Sequence, residues 1–287
     1  MMNALEIKGL NKSYKNSNFH LNDINITIPK GMVMAIVGRN GSGKSTIINS
    51  IFNIVEKDSG QIMFYGDELN NANKKLKESI GVVFDTHCFY PELSIKYLEK
   101  VFIDLYKSFD RTLFNSYLDK FSLPKDKKIK TFSRGMGMKL SIAVALSHGA
   151  KLLVLDEATA GLDPVAREEI LDIFLDFMAE EDHSIFISSH ITSDLERIAD
   201  YITFIDNGKI ILTEIKDNLI YNYGIARIKE SDYLSLDKSE YIAARNRGLQ
   251  IEVLIKDKKS FISKYPEMVV DNATVDEILP LLTKGDN

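Results

Sequence analysis

Apolar and polar residues alternate over Ala4–Gly9, His20–Pro29 and Gly60–Tyr65, the two-residue period of half-buried antiparallel strands. Val33–Val37, Lys151–Asp156, Ser184–Ser188 and Tyr201–Asp206 are instead short and almost continuously apolar. That pattern predicts parallel strands covered on both faces. Helical periods separate them over Thr46–Val55, Pro164–Glu181 and Ser193–Asp200. Asp163-Pro164 predicts a helix start, Asp as cap and Pro in first position. From Pro91 to about Gly149 the apolar spacing stays helical, so a helical segment is expected within an α/β frame. After Asp217 the character changes. Leu249–Ile255 predicts a strand, and Asp257–Tyr265 and Ala273–Leu282 predict helices, together a small α+β extension without ligand or catalytic spacing.

The run Val33–Val37 leads into Gly38-Arg39-Asn40-Gly41-Ser42-Gly43-Lys44-Ser45-Thr46. Buried strand, glycine-rich turn and helix start are the context a G-x-x-x-x-G-K-[ST] phosphate loop requires. The glycines let successive N–H groups face an anion, and the helix N-terminus adds partial positive charge. Lys44 is expected to reach the β- and γ-phosphates of a nucleoside triphosphate, and Ser45 to ligate Mg²⁺. A second buried run, Leu152–Leu155, ends in Asp156-Glu157. It would deliver two carboxylates to the crevice at the C-terminal edge of a parallel sheet. There Asp156 would hold Mg²⁺ and Glu157 would orient and deprotonate an attacking water.

Composition narrows the picture by exclusion. The 287 residues carry 27% charged and 45% hydrophobic side chains, which argues against a disordered or fibrous chain. The net charge is −5 with no large basic block, so no nucleic-acid partner is expected. Cys88 is the single cysteine, which suits a reducing compartment, and it is expected to be packed or inert. No run of 18 apolar residues and no charged-then-apolar leader is present, so the expected location is cytoplasmic. His20, His87, His148 and His183 are expected to be structural.

Read together, the phosphate loop, Asp156-Glu157, Ala160-Gly161-Leu162-Asp163 and Ser188-Ser189-His190 resemble the ATP-binding subunit of an ABC transporter. The resemblance runs in order from residue 4 to about 215. It implies a P-loop α/β ATPase over residues 1–216, with an antiparallel β subdomain, a helical subdomain near 87–148, and residues 217–287 as the extension. It also implies ATP with Mg²⁺, a head-to-tail dimer with a second ATPase subunit, and separate polytopic membrane permease subunits. The chain would then sit peripherally on the cytoplasmic face of the cell membrane, and the resemblance implies export. By the same resemblance Tyr14 stacks on adenine, with Phe19 a second candidate. Asp163 couples the two sites of the dimer, and His190 contacts the γ-phosphate. A regulatory or sensory ABC ATPase is the alternative reading.

Two segments depart from the family pattern. Where Leu-Ser-Gly-Gly-Gln is usual, this chain has Phe132-Ser133-Arg134-Gly135-Met136. Ser133 and Gly135 remain available to a γ-phosphate on the opposing subunit. The second departure is Asp85, after Val82-Val83-Phe84, where a glutamine is usual. Asp85 can meet Mg²⁺ but, ionised, cannot donate a hydrogen bond. Arg134 either offsets Asp85 across the dimer or points to solvent. At about 5 Å and an effective dielectric near 20, such a pair is worth roughly 3 kcal/mol. Both departures resemble the ABC-2-type, YtrB-like branch of Gram-positive bacteria.

Overall fold

The computed structural model describes residues 2–15, 17–68 and 73–284. In chain order it begins with strands β1 (Asn3–Ser13), β2 (His20–Pro29) and β3 (Val33–Val37), then helix α1 (Lys44–Ile51). β4 (Ser59–Phe64), β5 (Asp67–Glu68), α2 (Lys74–Glu78) and β6 (Ile80–Val83) follow. The expected helical insertion comprises α3 (Ile95–Leu105), α4 (Arg111–Lys120) and α5 (Arg134–Leu146). The frame resumes with β7 (Leu152–Asp156), α6 (Pro164–Phe177), β8 (Ser184–Ser188), α7 (Thr192–Ile198), β9 (Tyr201–Asp206) and β10 (Lys209–Ile215). Last come α8 (Lys216–Tyr221), β11 (Gly224–Ile228), α9 (Glu230–Tyr233), β12 (Ala243–Asn246), β13 (Ile251–Ile255), α10 (Lys258–Lys264), β14 (Val270–Asn272) and α11 (Val275–Lys284).

The central sheet has the order β10-β9-β3-β8-β7-β6. Its strands are parallel except β10, which returns antiparallel along β9. The two-residue period assigns each face of this sheet to a different core. Met34, Ile36, Leu152, Val154, Phe186 and Ile205 pack with α1 and the antiparallel sheet β2-β1-β4-β5. Ala35, Val37, Leu153, Leu155, Ile185 and Ile187 face the helical side. β3, β7 and β8 are buried at every position, which is why they read as continuous apolar runs.

β10 escaped the sequence reading because it is an edge strand whose residues alternate between exposed and half-buried. Asn207 and Gly208 join it to β9 at φ +46° and +73°, the left-handed pair of a type I′ turn. The extension also differs from expectation. Its sheet, β12-β13-β11-β14, has a small core of its own on one face. On the other, Leu219, Ile225, Leu254, Ile278 and Leu281 merge with the main helical-side core. Val275 N–H donates to Glu196 of α7 at 3.0 Å, so α11 is tied to the frame rather than hung from it. The predicted strand over Leu249–Ile255 starts later, at Ile251, because Leu249 is 95% exposed in a turn.

Candidate nucleotide site

The parallel register aligns the chemistry. Ser188 at the end of β8 is paired on one side with Asp156 of β7 and on the other with Ile36 of β3. The phosphate loop, the two carboxylates and the Ser188-Ser189-His190 segment therefore emerge at one sheet edge, the crevice position of an open parallel sheet. A cleft of about 710 Å³ opens there, its wall including Asn40, Gly41, Gly43, Lys44, Ser45 and Thr46. Asp85, Arg134, Glu157 and His190 complete its polar lining.

Gly43 caps α1 at φ +118°, a left-handed conformation that a side chain would strain. A Cβ there would also stand 2.7 Å from Leu21 and 3.1 Å from Phe19. Gly38 and Ser42 do not line the cleft; they shape the loop from beneath. A Cβ on Gly38 would meet the Ile205 carbonyl at 2.4 Å and the Ser42 hydroxyl at 2.5 Å. The turn after β9 holds the loop from the other side, through Gly208 N–H to the Ser42 carbonyl at 2.9 Å. Lys44 curls back under the loop, its Nζ donating to the carbonyls of Gly38 at 2.8 Å and Arg39 at 3.3 Å. Burial lowers the Lys44 pKa, partly offset by Glu157 and Asp156.

Asp156 is buried and accepts a hydrogen bond from the Ser188 hydroxyl at 2.5 Å. Burial raises its pKa, while the Ser188 and Ser45 hydroxyls pull the other way. Glu157 leaves the strand at φ +52°. Its N–H donates to the Ser188 carbonyl at 3.1 Å and hydroxyl at 3.2 Å. This turns its carboxylate into the cleft, 3.9 Å from Lys44 Nζ. His190 Nδ1 lies 2.6 Å from Glu157 Oε2, and the His190 N–H donates to the same oxygen at 3.3 Å. Ser188 thus positions both acids, a role the sequence pattern did not assign.

Other expected residues fall elsewhere. Ser133, Gly135 and Asp163 line a neighbouring cleft of about 460 Å³, apart from the phosphate loop. Ser133 caps α5, its hydroxyl accepting from Met136 N–H at 3.2 Å and keeping its own proton to donate. Asp163 caps α6 through Ala166 N–H at 3.0 Å, and backbone hydrogen bonds lower its pKa. Phe19 lines the nucleotide cleft; Tyr14 does not, its ring lying 6.5 Å from that of Phe19. Arg134 is exposed at the start of α5, with its Nη2 3.4 Å from the Asp85 carbonyl of its own chain. His148 and His183 are satisfied by backbone carbonyls as expected, but His87 keeps a buried Nδ1 without a partner. Cys88 is exposed rather than packed.

The fold and site define a P-loop nucleotide-binding ATPase. Residues 21–160 match the family described as ABC transporter. The chain is 34% identical over 220 residues to the ABC transporter ATP-binding protein YtrB of Bacillus subtilis (strain 168), covering 75% of each chain. It is 40% identical over 215 residues to the lantibiotic transport ATP-binding protein SrtF of Streptococcus pyogenes, covering 74% of this chain and 91% of that one. A solved structure of an ATP-binding subunit of an ABC transporter superposes with a TM-score of 0.68 at 26% identity, over 75% of this chain and 91% of that one. The chain belongs to the ABC transporter family, as an ATP-binding subunit. It is an ATPase that drives transport as part of a transporter complex.

Proposed function

We propose that the cleft hydrolyses MgATP with Glu157 as the base for the attacking water. The observation that carries this reading is the placement of Glu157, held by Ser188 and His190 and turned toward Lys44. Its carboxylate accepts the water's proton and Lys44 neutralises charge developing on the γ-phosphate. His190 orients the base. A neutral ring that donates from Nδ1 presents a bare Nε2, so donation from Nε2 to a phosphate uses the imidazolium. Ser45, Asp156 and Asp85 would hold Mg²⁺. A buried carboxylate flanked by hydroxyls is a hard oxygen donor set, suited to an ion that keeps water and phosphate oxygens as its other ligands. When bound, Mg²⁺ would draw off negative charge from the phosphates.

Phe19, which lines the cleft, would stack on the adenine in place of Tyr14. Ser133 and Gly135 would meet the γ-phosphate of a second ATPase subunit, with Asp163 at the same interface; their separation from the phosphate loop of their own chain supports this. Residues 1–216 would form the ATPase unit and 217–287 the extension packed on it. No helix among the described residues is long and apolar enough to cross a membrane, so polytopic permease subunits would supply the spans. The chain would then act on the cytoplasmic face, and its resemblance to the ABC-2-type branch supports outward transport.

Glu157→Gln tests the base. Turnover should fall by at least about 100-fold with ATP binding retained. Hydrolysis at a near wild-type rate would remove Glu157 from that role.

A further inference from the structure

Helix α7 is short, and little chain separates it from the chemistry. It spans Thr192–Ile198, and Ile191 alone stands between it and His190, whose Nδ1 is 2.6 Å from Glu157. A sideways shift of α7 is therefore passed almost directly to the base. Beyond its far end Asp200 accepts Val33 N–H at 2.8 Å, which anchors the chain to β3. To the sides, α7 packs against α6 and α11.

The α6 side holds loosely. Arg197 bonds Glu168 and Asp172, but those carboxylates are mostly exposed, and ion pairs of that kind contribute little in water. The buried Asp194 keeps its Oδ2 3.9 Å from Arg167 Nε, beyond hydrogen-bond reach, and neither atom makes another hydrogen bond. The α11 side is closed. Val275 is the first residue of α11, and its N–H donates to the half-buried Glu196 Oε1 at 3.0 Å. The carboxylate there also meets the positive end of the α11 dipole. Thr274 N–H and its hydroxyl both donate to Glu277, at 3.3 and 2.9 Å, so the first turn of α11 is set within its own chain segment. Leu195 and Ile198 of α7 share one apolar core with Ile278, Leu281 and Leu282 of α11. The extension supplies the firmer hold on the helix behind His190.

We propose that Glu196 is a positioning residue for ATP hydrolysis, through which the extension keeps His190 on Glu157. This rests on the reading of His190 as the group that orients the base. Glu196 does not line the nucleotide cleft and acts only through α7. α11 fixes Glu196, α7 carries that constraint to Ile191, and the imidazole keeps its Nδ1 within reach of the Glu157 carboxylate. The extension is then a working part of the ATPase rather than an appendage to it.

The test is kcat and ATP affinity of the full-length chain. Glu196→Ala should lower kcat about three- to tenfold and change ATP affinity less than about twofold. Glu196→Gln should recover most of the loss, since its amide oxygen still accepts. Val275→Pro removes the donor while suiting the first position of a helix, and should lower kcat to the same extent. The double variant Glu196→Ala/Val275→Pro should fall no further than either single. Val253→Ala, in the separate core on the other face of the extension sheet, should lower the melting temperature and leave kcat alone. Unchanged kcat in Glu196→Ala and Val275→Pro, additive losses in the double variant, or an equal loss in Val253→Ala would each overturn the proposal. His190→Ala separates it from the reading beneath it: if that variant keeps a wild-type kcat, the orientation of the base by His190 is what fails.

Discussion

His190→Ala removes the imidazole and leaves the backbone. In the folded chain Glu157 Oε2 receives Nδ1 at 2.6 Å and the His190 N–H at 3.3 Å. Glu157 is 15% exposed and His190 55%, so the carboxylate is the more buried partner and loses its better donor. A hydrogen bond to a charged group is worth about 1.5–3 kcal/mol, and the exposure of the imidazole places this one at the lower end. At about 1.4 kcal/mol per decade, kcat should fall roughly 10- to 30-fold. The surviving N–H contact and the Ser188 contacts keep Glu157 in the cleft, so ATP affinity should change far less. Phosphate release at saturating ATP gives kcat, and equilibrium binding of ATP gives the affinity. A kcat within about twofold of wild type, with unchanged binding, would refute the view that His190 orients the base.

Two further outcomes follow from the same geometry. The raised pKa of Asp156 means that its protonated form is favoured by folding. Its stabilising contribution is present below the unfolded carboxylate pKa and lost as pH rises through the folded value. Nucleotide-free Asp156→Asn should therefore melt above wild type at pH 7, the gap narrowing in acid, while its hydrolysis is lost. Gly208→Ala would set a Cβ 1.8 Å from the His20 carbonyl at a φ of +73°. It should cost at least about 3 kcal/mol in denaturant unfolding and weaken ATP binding, because Gly208 N–H holds the Ser42 carbonyl.

The parts of the site legible in the sequence are those fixed by local chain geometry. Val33–Val37 followed by the glycine loop, and Leu152–Leu155 followed by Asp156-Glu157, each state their own position on a sheet edge. What the pattern hid depends on neighbours far along the chain. Ser188 acquires its role only from the parallel register that places it beside Asp156. Arg134 reaches the cleft because α5 begins near Asp85 and Gly161, contacts that no spacing rule encodes. Phe19 lines the cleft while Tyr14 does not, a distinction set by the loop between β1 and β2. Asn207-Gly208 is a hairpin signal for β10, but the strand beyond it alternates only between exposed and half-buried positions, which weakens its apolar pattern. In the extension, β11, β12 and β14 are short and carry no clear period, so only β13 was anticipated.

On this reading the chain supplies one half of an ATP site completed by a second subunit. Light scattering of Glu157→Gln with MgATP, combined with quantification of bound nucleotide, tests it most directly. The expected result is twice the mass of one chain with one intact ATP per chain, returning to single chains when ATP is removed. A single chain carrying ATP, with no change of mass at any protein concentration, would contradict it.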